Sequence, residues 1–250
     1  MHQKNKSDFI YGTRAIIEAI EAGKEVDKLM IQRDVNNELT SELIRTAQQH
    51  TIPYQRVPIE KLNRITRKNH QGAIAFITPI TFASLDNVIS EAYGNAETPL
   101  LIILDRITDV RNFGAIARTA ECAGVHGIVV PSRGSAQIGS DAMKTSAGAL
   151  SYIPVCRSMN LKQTIEELQN NGVQIVACTE KTNDSIYDTD LKAPTALLMG
   201  SEEEGISPEY LKMADKHAKL PMSGNIESLN VSVATGVFIY EAIRQRSIAD

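Results

Sequence analysis

Apolar residues in this chain fall into short bursts separated by amphipathic stretches, and two periods can be read from them. Segments 13–22 and 38–49 repeat apolar positions every three or four residues, as helices do, whereas 28–31, 54–57 and 73–77 are short extended runs. After Pro79 the polar stretch SLDNVISEAYGNAETP predicts a short helix and a Gly/Asn turn. Stronger apolar runs then follow at 100–104, 127–130, 152–155, 174–177, 195–199 and 217–220, with helical patterns at 114–123, 161–170, 208–213 and 231–246. Short apolar strands alternating with helices predict an α/β fold whose mostly parallel sheet is covered on both faces. The smaller α/β unit before it predicts two domains, residues 1–80 and 98–250, joined by a linker at 81–97. No internal repeat or low-complexity tract interrupts the pattern.

Composition narrows the choice. With 250 residues and 42% hydrophobic content the chain can bury a sizeable core. Cys122, Cys156 and Cys178 are odd in number, widely spaced and form no CxxC pair, so neither a disulfide framework nor a zinc knuckle is expected. The histidines lack metal-ligand spacing, and no metal is expected. No apolar stretch is long enough for a signal peptide or a membrane span, which predicts a cytoplasmic protein.

Charge adds a contrast between the two parts. The net charge is −4, but residues 1–80 hold 12 Lys and Arg against 9 Asp and Glu, and the remainder holds 14 against 21. The first part is therefore +3 and the second −7. Lys61, Arg64, Arg67, Lys68 and His70 crowd into ten residues, as a phosphate-contacting patch would; a solvated helix end accounts for them equally well.

Candidate chemistry collects where strands end. LDRITDVRNFGAIAR closes one apolar strand and opens a helix, LLMGSEEEG closes another, and ESLNVSVATG leads into the last helix. In open α/β sheets, ligands sit beyond the carboxyl ends of strands, so three such loops can share one pocket. Each block also has a plain structural reading. Asn112 can be a helix cap, Arg118 a surface residue paired within its helix, the three glutamates a solvated turn, and Glu227, Ser228 and Asn230 an elaborate cap. The GxGxxG and GxxxxGK[ST] glycine signatures of common nucleotide enzymes are missing, which demotes a dehydrogenase-like reading.

Taken together, NFGAIAR (112–118), GSEEEG (200–205) and SLNVSVA (228–234) resemble the NxxxxxR, GxExxG and SLNVSxA signatures of the SpoU/TrmH family of SPOUT methyltransferases. FIYGTRAIIEAI (9–20) and HQGAIA (70–75) resemble the amino-terminal RNA-binding domain that accompanies its ribosomal RNA members. The resemblance implies a trefoil-knotted catalytic domain, an exception to the rarity of knotted chains, and S-adenosylmethionine as cofactor. Gly200, Leu220 and Leu229 would line the cofactor pocket, with Met199, Met222 and Ser228 close by. Arg118 would be central to methyl transfer, supported by Asn112, Glu202, Ser228 and Asn230. It further implies a homodimer whose site is completed across the interface, and 2′-O-methylation of a guanosine ribose in large-subunit (23S) ribosomal RNA. The alternatives are tRNA ribose methylation within the same family, or a non-catalytic RNA-binding or ribosome-assembly protein.

Overall fold

The computed structural model describes residues 9–226 and 228–248. They form two compact units, one of residues up to Thr81 with Ile138–Ser140, the other of Phe82–Gln137 with the residues from Asp141 onward.

In the first unit, strands β1 (Phe9–Tyr11), β2 (Val26–Gln32), β3 (Tyr54–Val57) and β4 (Ala73–Ile77) form a sheet of order β1-β4-β2-β3. β4 runs antiparallel to β1 and β2, and β3 parallel to β2. Alternation along β2 explains the layering. Leu29 and Ile31 pack with Ala73 and Ala75 under helices α1 (Thr13–Glu21) and α2 (Glu38–Gln49), through Ile16, Ile17, Ile20 and Leu43. Met30 and Ile74 lie on the opposite face beside Val57, Leu62 of α3 (Ile59–Ile65), and the half-buried Phe9, Tyr11 and Phe76. β1 and α3 are additions to the sequence-derived pattern.

The second unit holds a six-stranded, wholly parallel sheet of order β10-β8-β9-β5-β6-β7. Its strands are β5 (Leu100–Leu104), β6 (Gly127–Pro131), β7 (Val155–Ser158), β8 (Gln174–Cys178), β9 (Thr195–Met199) and β10 (Lys216–Ala218). Every residue of β5 and β9 is buried, because both faces are covered. The helices are α4 (Leu85–Gly94), α5 (Val110–Cys122), α6 (Ser140–Thr145), α7 (Leu161–Asn170), α8 (Pro208–Met213) and α9 (Val231–Ser247). The segment expected as a linker carries α4, whose Val88 and Ile89 join the core of this unit. β7 begins three residues later than the pattern suggested, since Tyr152 is 79% exposed.

Strand order places the candidate blocks. From β5 the chain steps outward through β6 to β7, then crosses to the other side to lay down β8, and β9 fills the gap beside β5. β5 and β9 therefore flank the topological switch, with Leu104 paired to Met199 at their carboxyl ends. α9 is clamped in this unit by Arg246, whose guanidinium donates to the carbonyls of Thr98, Pro99, Leu191 and Ala193. Burial lowers its pKa from the usual arginine value.

Candidate active site

The loops after β5 and β9 are tied together at their bases. Asp105, 2% exposed, accepts from the Ser207 backbone N–H and hydroxyl, each at 2.7 Å, and from the Arg106 guanidinium. Arg106 also donates to the Gly205 carbonyl at 3.0 Å and forms an ion pair with Glu204. Its pKa is raised above the usual arginine value, first by the hydrogen bond to Asp105.

The GSEEEG turn is closed more tightly than a side chain would permit. A Cβ at Gly200 would collide with the Gly205 carbonyl carbon and the Ile206 nitrogen, and would lie 2.5 Å from the Gly205 oxygen. Ser201 and Gly205 are bridged across the turn. This close approach is why position 200 requires glycine.

Asp109, not Asn112, caps α5: its carboxylate accepts from the N–H groups of Arg111 and Asn112 at 2.8 and 2.9 Å. The helix therefore starts four residues before the expected position, and the Asn112 side chain is left for another partner. That partner is Asn230, the cap of α9. Its amide donates to Asn112 Oδ1 at 2.9 Å and to Glu202 Oε1 at 2.7 Å, while its own Oδ1 accepts from the Ser232 N–H. Glu202 Oε1 also receives the Val231 N–H at 3.2 Å, so the carboxylate sits at the positive end of α9. Asn112, Glu202 and Asn230 thus form one hydrogen-bonded cluster. Asn112, Glu202 and Val231 border a cavity of about 570 Å³, also lined by Arg106, Asp109, Glu203 and Glu204.

Beside it lies a second hollow, lined by Met199, Leu220, Met222, Ser228 and Leu229 together with Cys178, Thr179, Glu180, Lys219, Ala234 and Phe238. Five of the six residues expected at the cofactor are therefore neighbours here. Gly200 follows Met199 but packs against Gly205 and Ile206 rather than lining the hollow. Two chain segments connect the two spaces. Met199 belongs to one and Ser201 to the other, and likewise Leu229 and Val231. Cys178, at the edge of the hollow, has its thiol pKa pushed well up by burial, and burial pushes that of Cys156 to about 12.

Arg118 stands apart. It is exposed, six residues beyond Asn112 on α5, which is about 9 Å along the axis and about a third of a turn around it. Among the described residues it lines neither space and makes no hydrogen bond or ion pair. Ser228 lines the groove and is not bonded to the Asn112–Glu202–Asn230 cluster. Glu227 lies outside the described residues.

In the first unit Lys61, Arg64, Arg67 and Lys68 are all exposed. Lys28 and Lys68 carry their ammonium groups over the rings of Phe76 and Tyr11 at 5.1 and 5.7 Å. His70 does not belong to this basic patch. It is buried; its Nδ1 accepts the Gly72 N–H and its Nε2 faces Asn63 Oδ1 at 2.9 Å, so the ring organises the loop before β4. Arg106 was not foreseen, because its role depends on partners about a hundred residues away.

Comparison with known proteins decides the family. Residues 99–240 match the model of the SpoU rRNA Methylase family, and residues 9–83 match a model described as RNA 2′-O ribose methyltransferase substrate binding. The chain belongs to the SpoU/TrmH family of RNA methyltransferases. A SpoU/TrmH relative of Bacillus subtilis (strain 168), named as a TrmH family tRNA/rRNA methyltransferase, YacO, is 34% identical over 240 residues, covering 96% of each chain. Among solved structures, the SpoU methyltransferase AviRb from Streptomyces viridochromogenes in complex with AdoMet is 25% identical at a TM-score of 0.61, covering 97% of this chain and 91% of that one. An AdoMet-bound rRNA methyltransferase from Sinorhizobium meliloti gives the same identity and TM-score, with 94% and 86% covered. This SpoU protein is thus an RNA methyltransferase with a substrate-binding domain ahead of its catalytic domain. No helix among the described residues is long and apolar enough to cross a membrane, and no group of three or more potential metal ligands occurs among them.

Proposed function

We propose that the protein transfers a methyl group from S-adenosylmethionine to the 2′-hydroxyl of a guanosine ribose in large-subunit (23S) ribosomal RNA. The observation carrying this reading is the adjacency of an apolar groove and a polar, hydrogen-bonded cluster, which share the segments 199–202 and 228–231 at the switch point of a parallel sheet. In this reading residues 1–80 hold the RNA, 81–97 connect, and 98–250, knotted as the family resemblance implies, carry the chemistry.

The groove suits the cofactor chemically. Met199, Leu220, Leu229 and Phe238 offer apolar walls for an adenosine, while Thr179, Glu180 and Ser228 offer polar groups for its amino-acid end. It encloses only about 100 Å³, against roughly 300–1,000 Å³ for small-molecule sites. Met222 and Leu229, which help to line it, are each 41% exposed. When bound, the cofactor supplies an electrophilic methyl on a sulfonium. Cys178 beside the groove stays protonated, so no thiolate competes for that methyl.

The polar cluster orients the acceptor. Glu202, fixed by the α9 terminus and Asn230, presents a carboxylate beside the cavity, and Asn112 accepts from the same Asn230 amide; alignment of this kind can contribute several kcal/mol, up to about 7–11. Arg118 is exposed and makes no hydrogen bond to its own cluster, which supports a homodimer in which Arg118 of one copy completes the site of the other. A guanidinium is protonated at all ordinary pH, so its role is to stabilise the developing alkoxide or to grip the neighbouring phosphate; as the O–CH3 bond forms and the S–CH3 bond breaks, the hydroxyl proton is released to water and the sulfonium becomes a neutral thioether.

The test is transfer of radiolabelled methyl to large-subunit ribosomal RNA from cells lacking this activity, with mapping of the product. Label on one guanosine 2′-oxygen is expected. Label on tRNA instead, in line with the tRNA/rRNA naming of the Bacillus relative, would replace the substrate, and transfer to neither would overturn the reading.

A further inference from the structure

Around the acceptor cavity the charge is mostly of the wrong sign for RNA. Asp109, Glu202, Glu203 and Glu204 line it, and Arg106 is the one cation among the described lining residues. Arg106 is held in an uncommon way. Its backbone is left-handed at φ 59, a conformation that non-glycine residues rarely adopt and that concentrates at functional sites. One edge of its guanidinium, Nε and Nη2, is fixed on the buried Asp105 and the Gly205 carbonyl. The remaining nitrogen, Nη1, is turned to Glu204, whose side chain is 68% exposed.

These two halves differ in permanence. The Asp105 side is buried and two-pronged, whereas an ion pair with so exposed a carboxylate is worth little and is readily exchanged. The result is a guanidinium oriented before any ligand arrives, with a replaceable anion on its open edge. Resting on the methyltransferase reading above, we propose that Arg106 is a phosphate latch: an RNA backbone phosphate flanking the target nucleotide displaces Glu204 from Arg106 Nη1 as the ribose enters the cavity. Arginine suits this exchange, because its fixed fork matches phosphate oxygens and its charge does not titrate. Arg106 thereby offsets the repulsion that the surrounding carboxylates exert on the incoming strand.

The experiment measures equilibrium binding of a fluorescein-labelled RNA carrying the mapped target nucleotide to full-length protein, as a function of salt. Arg106→Gly is the informative variant, since glycine accepts the left-handed backbone and removes only the side chain. We expect about tenfold weaker RNA binding, and a plot of log affinity against log salt that is shallower by roughly 0.7–0.9, the contribution of one phosphate contact. S-adenosylmethionine affinity should be unchanged. Glu204→Gln should tighten RNA binding about threefold by freeing Nη1, and Arg106→Lys should restore the slope while recovering only part of the affinity. An unchanged slope in Arg106→Gly, or equal losses of RNA and cofactor binding, would overturn the latch. Absence of RNA binding by the wild type would instead sink the reading on which it rests.

Discussion

Replacing Gly200 with alanine tests the link between the tight turn and the chemistry. The added methyl would meet the backbone of Gly205 and Ile206, and backbone atoms, unlike a flexible side-chain tip, cannot step aside. Ordinary carbon contacts lie at about 3.5–4.0 Å, and the new carbon would sit 2.5 Å from the Gly205 oxygen, so the turn must move by about 1 Å or more. Two consequences should separate. Overpacking of this kind costs about 1–3 kcal/mol, which for a chain of this size lowers Tm by about 2–12 °C. Movement of the turn also carries Glu202 away from Asn230 and the Val231 N–H, bonds of 2.7 and 3.2 Å. A 1 Å misplacement of a positioned group costs about 10²-fold in rate, so kcat should fall by about that factor. Gly236→Ala is the control: its Cβ would lie 3.5 Å from Thr119 Cγ2, an ordinary contact, and alanine favours a helix interior by about 0.8–1.0 kcal/mol. Turnover with saturating cofactor and RNA, together with thermal melting of both variants, decides the matter. Wild-type turnover and Tm in Gly200→Ala would refute the argument that this glycine sets the position of Glu202.

Mixing Arg118→Ala protein with Asn230→Ala protein, each expected to be inactive alone, should restore up to a quarter of wild-type activity in statistically mixed dimers; no recovery would place Arg118 within its own copy's site. The Glu241 carboxylate has its pKa lowered, chiefly by the hydrogen bond from Arg244. It therefore contributes stability that is present above the ordinary glutamate value of about 4.3 and is lost as pH falls below it. Melting curves between pH 7 and 3 should show Glu241→Gln less stable than wild type at neutral pH and the difference shrinking in acid. Tyr11→Leu and Phe76→Leu keep the apolar contacts of the first unit but remove the flat rings beneath Lys68 and Lys28. If those rings stack RNA bases, each change should weaken binding of single-stranded RNA by about 1–3 kcal/mol without altering cofactor affinity, and unchanged titrations would exclude a stacking role.

The sequence revealed most where burial is complete. The runs at 100–104 and 195–199 are apolar throughout because both faces of β5 and β9 are covered, and such runs stand out. β1 was invisible because it is three residues long and half-buried throughout, so it shows no alternation. α3 carries Ile59, Leu62 and Ile65 at helical spacing, but its basic residues read first as a charge cluster. At the site, the family motifs named Asn112, Glu202 and Asn230, and the Asn230 amide donates to each of the other two. The exchange of Asn112 for Asp109 as cap went unread, since either residue type serves and only the helix start distinguishes them. Arg106 left no mark, because neither its φ nor its distant partners are written locally.

Arg246 has a consequence for the order in which the protein is made. The guanidinium near the end of α9 closes on the carbonyls of Thr98 and Pro99, just before β5, the strand that opens the parallel sheet. A ribosome must therefore add nearly 150 residues after that strand begins before the clamp can close. The groove, whose lining runs from Cys178 to Phe238, shares that delay. The first unit, with its sheet complete by Ile77, can fold well before then. A nascent chain thus displays its substrate-binding unit long before its methyltransferase unit can close, so the order of synthesis presents the two parts of the enzyme one after the other.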